Sequence, residues 1–462
     1  MATMDQIQRP LRAADPRYER WRWGIFALTW LVYAGYYLTR QSFAVAKVAF
    51  ADDPNITMTR EDYGIVDSSY LIAYAVGQFL WGSLGDRLGP KRILVAGMLL
   101  GIFASICSGF STGLIAFAVF AVVQGMGQAT GWPNVVKTMS SWFSLRERGR
   151  VVGVWCTHYA VGAVAALILA GYMMNLFGAP RPPGEEGSAI VPYWPAGFWG
   201  PAAVLGVILA LVVVFLRNRP QDVGLPTIEE YRGEVESVLR AGDRPEDEIE
   251  GSWEVFAKVL RVPGVWYLAF SYFGIKLTRY ALYFWGPKYI SESLGSGAFG
   301  SGVMAAWLPF GGALGVIVSG CLSDKAFQSR RMPVTVLALV LTAALMMMGL
   351  RPIANRTFMC VFFFFIGFFL FGPDSIISAT AAMDFGTKKA AATAAGIVNG
   401  VGSVGAILGG WLPGKITRED NWAPVFWVFV VGLLISAAIL APMWNTKPPT
   451  GDRGRTGPKP RT

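Results

Sequence analysis

Residues 82–87 read Gly-Ser-Leu-Gly-Asp-Arg, and 238 positions later residues 320–325 read Gly-Cys-Leu-Ser-Asp-Lys. Three further matches keep almost the same offset and the same order. Leu38–Thr39–Arg40 returns as Leu277–Thr278–Arg279, Gly131–Trp132–Pro133 is echoed by Phe371–Gly372–Pro373, and Val161–Gly162–Ala163–Val164 by Val401–Gly402–Ser403–Val404. One match could be chance; four in register indicate two copies of one unit.

The composition says what that unit is. The chain has 462 residues, of which 53% are hydrophobic and 15% charged, and it holds 54 glycines; its mean hydropathy is +0.44. Soluble domains carry about 25% charged residues. Apolar runs of about 20 residues recur instead, each long enough to cross a hydrocarbon core of about 30 Å. Glycine lets such helices pack closely. Spans are expected near 23–46, 64–84, 93–111, 113–138, 150–176 and 195–216, and again near 264–289, 299–322, 333–350, 357–381, 390–413 and 423–443. The chain is thus an all-α membrane protein of 12 transmembrane helices in two pseudo-symmetric six-helix halves. Its expected parts are a cytoplasmic tail 1–22, a bundle 23–216, a linker 217–262, a bundle 263–443 and a tail 444–462. Within the linker, an amphipathic helix is expected near 227–241 and a disordered acidic part near 242–250.

Charge gives the orientation. The net charge of +10 is spread over short segments between apolar runs, which argues against a nucleic-acid surface. Arg87, Lys91 and Arg92, then Arg146, Arg148 and Arg150, then Lys325, Arg330 and Arg331 fall in even-numbered connections, and the first odd connection, 51–62, is net acidic. The positive-inside rule places both termini in the cytoplasm. No cleaved signal peptide is read at the start, and the short tails and compact loops suggest a bacterial inner membrane. Cys107, Cys156, Cys321 and Cys360 lie inside apolar runs and read as small core residues. No metal-ligand spacing, phosphate-cradling loop or Ser/His/Asp arrangement is present, so no cofactor, metal site or enzyme activity is expected.

Two arginines stand out. Arg40 and Arg279 lie near the middle of the first span of each half, where an arginine costs about 2.5–3.5 kcal/mol and so faces a cavity or a partner. The repeat sets them at equivalent positions, and two guanidinium forks suit a dianionic phosphate. Either could instead pair with Asp67, Asp374 or Asp384. Asp374 could be a counter-ion to Arg279, a proton-coupling group or a helix-bending site beside Pro373. His158, the single histidine, lies about two turns into the fifth span, on the side expected to face the cavity, and could tune anion binding or serve structure. Tyr36, Tyr37 and Tyr280 flank the arginines; Tyr33, Trp132 and Trp155 are further candidates for the lining. Gly82, Asp86 and Arg87, with Asp324 and Lys325 in the second copy, read as residues that orient the halves and take part in gating.

The loop Gly82–Arg92 resembles the characteristic cytoplasmic loop of the major facilitator superfamily. Within it, the chain resembles the organophosphate:phosphate antiporters, bacterial glycerol-3-phosphate and hexose-phosphate carriers among them. The motifs are Tyr36–Tyr37–Leu38–Thr39–Arg40, Gly131–Trp132–Pro133, Glu147–Arg148–Gly149 with Trp155 and His158, the linker string Pro220–Gln221…Gly224–Leu225–Pro226…Ile228–Glu229–Glu230–Tyr231, Arg279–Tyr280 and Lys388–Lys389–Ala390. The fourth-span stretch 128–133 leans toward the eukaryotic sugar-phosphate exchangers. The resemblance implies a major facilitator fold, a monomer, phosphate binding by Arg40 and Arg279 with His158 nearby, and exchange of a small organic phosphate for inorganic phosphate by rocking of the halves. Gln78 stands where the bacterial carriers tend to have a lysine; Lys276, one turn before Arg279, is the cation expected to compensate. The alternative reading is proton-coupled symport of another small organic anion, with Asp374 or Asp67 carrying the proton. A non-transporting sensor is a third, disfavoured because such proteins usually append a large soluble domain.

Overall fold

Proline and capping residues set the helix starts. Asp15 accepts a 2.8 Å hydrogen bond from the Arg17 backbone N–H, and Pro16 takes the first helical position, where its missing N–H costs nothing. Pro90 and Pro263 open two later helices in the same way. The computed structural model describes residues 15–144, 151, 154–183, 189–232, 257–327, 330–351, 353–383, 388–418 and 421–446.

Twelve spans follow in chain order. The first is Pro16–Arg40 continued, after a break at Gln41, by Ser42–Ala49; the second is Arg60–Leu88, the third Pro90–Ser108. The fourth is Leu114–Ala129 with Gly131–Trp142, the fifth His158–Leu176, the sixth Ala196–Phe215. In the second half they are Pro263–Leu294, Ala298–Ala305 with Trp307–Lys325, Arg331–Met348, Arg356–Met383, Lys388–Ile416 and Ala423–Leu440. A two-residue ribbon, Ala179–Pro180 against Ile190–Val191, joins the fifth and sixth. Among the described residues, nine segments are apolar and long enough to cross a bilayer by composition alone, and the first, second and seventh spans are not among them. Those three carry Arg40 and Lys47, Asp67, and Lys276 and Arg279. Large apolar side chains such as Ile115, Phe110, Val207 and Phe215 remain exposed on the outer helix faces, the surface that lipid covers.

The repeated loop has a local reason for its sequence. Gly89 has φ +85°, a left-handed conformation open to glycine, and it turns the chain between the second and third spans. The Lys91 N–H then donates to Asn218 at 2.8 Å and its Nζ to the Val213 carbonyl at 2.7 Å, tying the turn to the end of the sixth span. Arg87 and Lys325 are exposed at the ends of their helices. Gly82 lies inside the second span; the side chains of Asp86 and Asp324 lie outside the described residues. In the linker, Tyr231 stacks on Tyr18 at 3.9 Å and its hydroxyl accepts from the Asp15 N–H, so the string ending at Tyr231 pins the linker to the start of the first helix. The described helix there is Ile228–Arg232. The rest of the expected amphipathic helix, the acidic stretch, and Glu147, Arg148 and Gly149 lie outside the described residues.

The halves meet at the end away from the termini. There the second span packs on the eleventh and the fifth on the start of the eighth. A shift of six spans converts one pair into the other, so the seam is itself pseudo-symmetric. Backbones touch directly. A Cβ on Gly302 would stand 2.5 Å from the Leu167 carbonyl oxygen, one on Gly171 2.7 Å from the Phe299 Cα, and one on Gly64 2.8 Å from the Trp411 carbonyl oxygen. Arg60–Glu292 at 3.0 Å and Lys415–Glu61 at 2.6 Å cross the rim; the second is half-exposed and contributes little.

Overpacking a close seam costs about 1–3 kcal/mol, about tenfold in a population. Gly302→Leu should therefore raise the alkylation rate of Ser68→Cys, buried at the second–eleventh seam, by about tenfold with an impermeant maleimide added on the closed side. An unchanged rate would mean that this seam does not gate access.

Candidate functional site

Arg40 is the last residue of the first straight helix segment, just before the break at Gln41. It is half-buried. Its guanidinium lies 4.6 Å from the Tyr37 ring, 5.0 Å from Tyr74 and 5.8 Å from Tyr70, each a favourable cation–π placement. Its Nε donates to Gln128 Oε1 at 2.9 Å. The Tyr70 hydroxyl donates to the same oxygen at 2.8 Å, and Gln128 and Gln124 both donate to Thr39 Oγ1, at 3.1 and 2.8 Å. The charge is thus held in place entirely by neutral groups, and among the described residues it makes no ion pair.

Arg279 is held differently. It sits mid-helix in the seventh span, and its Nη1 donates to Asp374 Oδ2 of the tenth. Its guanidinium lies 4.4 Å from Phe371 and 5.6 Å from Tyr283. Asp374 thus stands as an ion-pair partner of Arg279 in this conformation. Lys276, on the same helix face, donates to Asn399 Oδ1 at 3.3 Å and lies 4.7 Å from the Tyr272 ring. A chain of rings links the two arginines across the halves. Tyr70, beside Arg40, meets Phe284 at 6.1 Å, and Phe284 meets Tyr280, the neighbour of Arg279, at 6.1 Å. Packing across the halves joins the second span with the eleventh, the fifth with the eighth, and the end of the first with the seventh and eighth; we take the space between the halves from these rings toward the termini as the cleft.

Other expected lining residues fall in three places. Tyr37 lies at Arg40, and Gln78, one turn beyond Tyr74 on the second span, is half-buried and makes no hydrogen bond among the described residues. Trp132 packs 5.7 Å from Tyr33 and 5.8 Å from both Trp155 and Tyr159. His158 lies behind that layer. It is fully buried, 4.4 Å from Tyr33, 4.2 Å from Trp155 and 4.3 Å from Tyr159, and neither ring nitrogen has a hydrogen-bond partner among the described residues. Tyr36 points away from the cleft: its hydroxyl bonds Thr130 at 2.8 Å and it is buried beside Leu94. In this conformation neither His158 nor Tyr36 contacts the arginines.

Asp67 was expected as an arginine partner or proton carrier. It pairs instead with Lys47, both fully buried, and Lys47 also donates to the Phe284 carbonyl at 3.1 Å and lies 4.3 Å from the Trp285 ring. The contact joins the first span of one half to the first span of the other, beneath the closed seam. Lys47 was not singled out in the sequence, although a lysine inside Ala44–Val45–Ala46–Lys47–Val48–Ala49 is the kind of intramembrane charge that signals a partner. Gln124 and Gln128, polar residues one turn apart in an apolar helix, carry the same kind of signal.

Residues 29–410 match the family model described as Major Facilitator Superfamily. The chain belongs to this superfamily. Among curated relatives, it is 32% identical over 94% of its length, and 95% of the other's, to "Membrane sensor protein UhpC" of Escherichia coli. It is 30% identical, over 94% of both, to the "Glycerol-3-phosphate transporter" of Bacillus subtilis, and 28% identical, over 93% and 92%, to the "Probable hexose phosphate transport protein" of Chlamydia trachomatis. The resemblance read from the motifs is borne out by these relatives. Among solved structures, a bacterial homologue of the lysosomal transporter Spinster in its inward-facing, unoccupied conformation superposes with a TM-score of 0.65 at 15% identity over 94% and 96% of the two chains. A D-xylose–proton symporter superposes at 0.66 and 14% over 92% and 98%. At that identity they show the fold, which is the major facilitator fold that the resemblance implied.

Removing one partner of a buried ion pair costs about 3–5 kcal/mol, while replacing both is often neutral. Asp67→Asn alone should lower the thermal midpoint of the detergent-solubilised protein clearly, and adding Lys47→Met should restore most of the loss. Equal midpoints for the single variant and the wild type would show that the pair does not stabilise the folded protein.

Proposed function

We propose that this protein carries small phosphorylated organic anions across a membrane by alternating access, exchanging them for inorganic phosphate. The observation that carries the reading is the unmatched charge of Arg40. A half-buried guanidinium with only neutral partners, joined by a row of rings to the neighbour of Arg279, is a site short of an anion. A phosphate offers oxygens for bidentate bonding by the Arg40 fork. The names of the glycerol-3-phosphate and hexose phosphate relatives support the same cargo. Without an anion, excess positive charge in the cleft resists closure; with one, the halves can rock. That favours exchange over one-way leak. Inorganic phosphate satisfies the charge as well as an organic phosphate does, which makes it a suitable counter-substrate.

The distribution of Lys and Arg supports placing both termini in the cytoplasm, and a bacterial inner membrane remains the proposed location. The seam is then on the outer side and the cleft opens inward. We propose a monomer, since each chain supplies both halves of its cleft, with the bundle and linker boundaries as read from the sequence.

A sensing role is the second reading, and the 32% identical membrane sensor protein favours it. An appended domain does not separate the classes here, because 95% of that sensor's length is matched. Vesicles loaded with radiolabelled phosphate distinguish them. External glycerol 3-phosphate or glucose 6-phosphate should drive phosphate efflux, and Arg40→Ala or Arg279→Ala should each reduce it at least about 30-fold, since losing a charged hydrogen-bonding partner costs about 2–5 kcal/mol. Saturable binding without efflux would favour the sensor; neither binding nor efflux would end the phosphate reading.

A further inference from the structure

We infer that Asp374 is a specificity-determining residue: it favours doubly charged phosphates of neutral, hydroxylated carbon skeletons over phosphates that carry an additional carboxylate. The inference rests on the transport reading above and concerns which phosphate is admitted.

Charge balance is the first part of the argument. Arg40, Lys276 and Arg279 bring three formal positive charges to the cleft and Asp374 removes one. A phosphate monoester dianion matches the remaining two. A phosphorylated carboxylic acid brings three negative charges and leaves one in excess, in a site already holding a carboxylate. At the effective dielectric of such a site, like charges a few ångströms apart repel strongly enough to lower occupancy by about tenfold or more.

Hydrogen bonding is the second part, and it is independent of the first. Asp374 Oδ2 accepts from Arg279; Oδ1 is buried, and the neighbouring Tyr272 hydroxyl interacts with the carboxylate but makes no well-formed hydrogen bond to this oxygen. The residue as a whole is 8% exposed. A buried carboxylate oxygen without a donor is costly, and a donor that fills it gains the difference. A substrate hydroxyl can donate to Oδ1; an ionised carboxylate cannot. Arg279 is fixed by Phe371 and Tyr283 as well as by Asp374, so the acid stays beside Arg279. Arg40, held by neutral groups, is left to take the phosphoryl oxygens. Both parts point to a polyol phosphate, with its phosphate toward the first span and its hydroxyls toward the tenth.

The test uses the full-length protein in vesicles loaded with radiolabelled phosphate, with glycerol 3-phosphate or 3-phosphoglycerate outside. The wild type should exchange glycerol 3-phosphate at least about tenfold better. Asp374→Asn should bring that ratio close to one, and Asp374→Glu, which keeps the charge, should preserve the preference. A wild type that exchanges both equally, or a ratio unchanged in Asp374→Asn, overturns the inference while leaving the transport reading intact. If Asp374→Asn does not fold, the wild-type ratio and the Asp374→Glu ratio decide. A wild type that exchanges neither compound overturns the transport reading and the selectivity with it.

Discussion

A charge taken out of water must find a partner, and the whole site follows from how this chain meets that requirement. Lys47 meets Asp67 and Arg279 meets Asp374. Arg40 is given tyrosine faces and a glutamine oxygen instead, and Lys276 an asparagine oxygen. The two kinds of solution have different consequences. An ion pair fixes geometry and is satisfied without a ligand. A cation held by dipoles is positioned but not neutralised, and in a cleft between two moving halves it is the part that an anion completes.

The same division links binding to movement. Lys47 reaches from the first half to the Phe284 carbonyl of the second, and the Phe284 ring lies between Tyr70 and Tyr280, each beside one of the arginines. The closed seam and the floor of the cleft therefore share a residue. Opening the seam must break the Lys47 contact to the second half, while Asp67, on the same half as Lys47, stays with it. That arrangement keeps a buried lysine neutralised in both states, so the seam can open without stranding a charge. The glycine contacts at Gly302 and Gly171 and the rim pairs act on the same surface.

Much of this was legible before any coordinates. The 238-residue repeat, the apolar runs and the central arginines specified twelve helices in two halves, and every expected span coincides with one observed, because a bilayer leaves a chain few alternatives. The pairing of charges was not legible. Asp67 and Asp374 are each an acid in an apolar helix, and sequence alone does not say which cation lies opposite. Lys47 falls seven residues after Arg40, about two turns on, and only the break at Gln41 and the approach of the seventh span bring it to Asp67 and Phe284. Tyr36 and Tyr37 are adjacent, so a helix must send them in different directions; periodicity indicates the split, but not which tyrosine faces the cleft. His158 looked like a cavity residue from its position along the helix, yet three aromatic rings from the first and fifth spans enclose it.

The claim that the cleft is short of an anion, and that Arg40 marks where it belongs, is tested most directly by phosphate-dependent thermal stability of the purified protein. A ligand that binds only the folded state stabilises it by an amount that grows with its concentration relative to Kd. The wild type should show a saturable rise in midpoint with inorganic phosphate that chloride at equal ionic strength does not reproduce, and Arg40→Gln should abolish it. A phosphate response equal in Arg40→Gln and wild type, or a response matched by chloride, would contradict the assignment of Arg40 as the anion's seat.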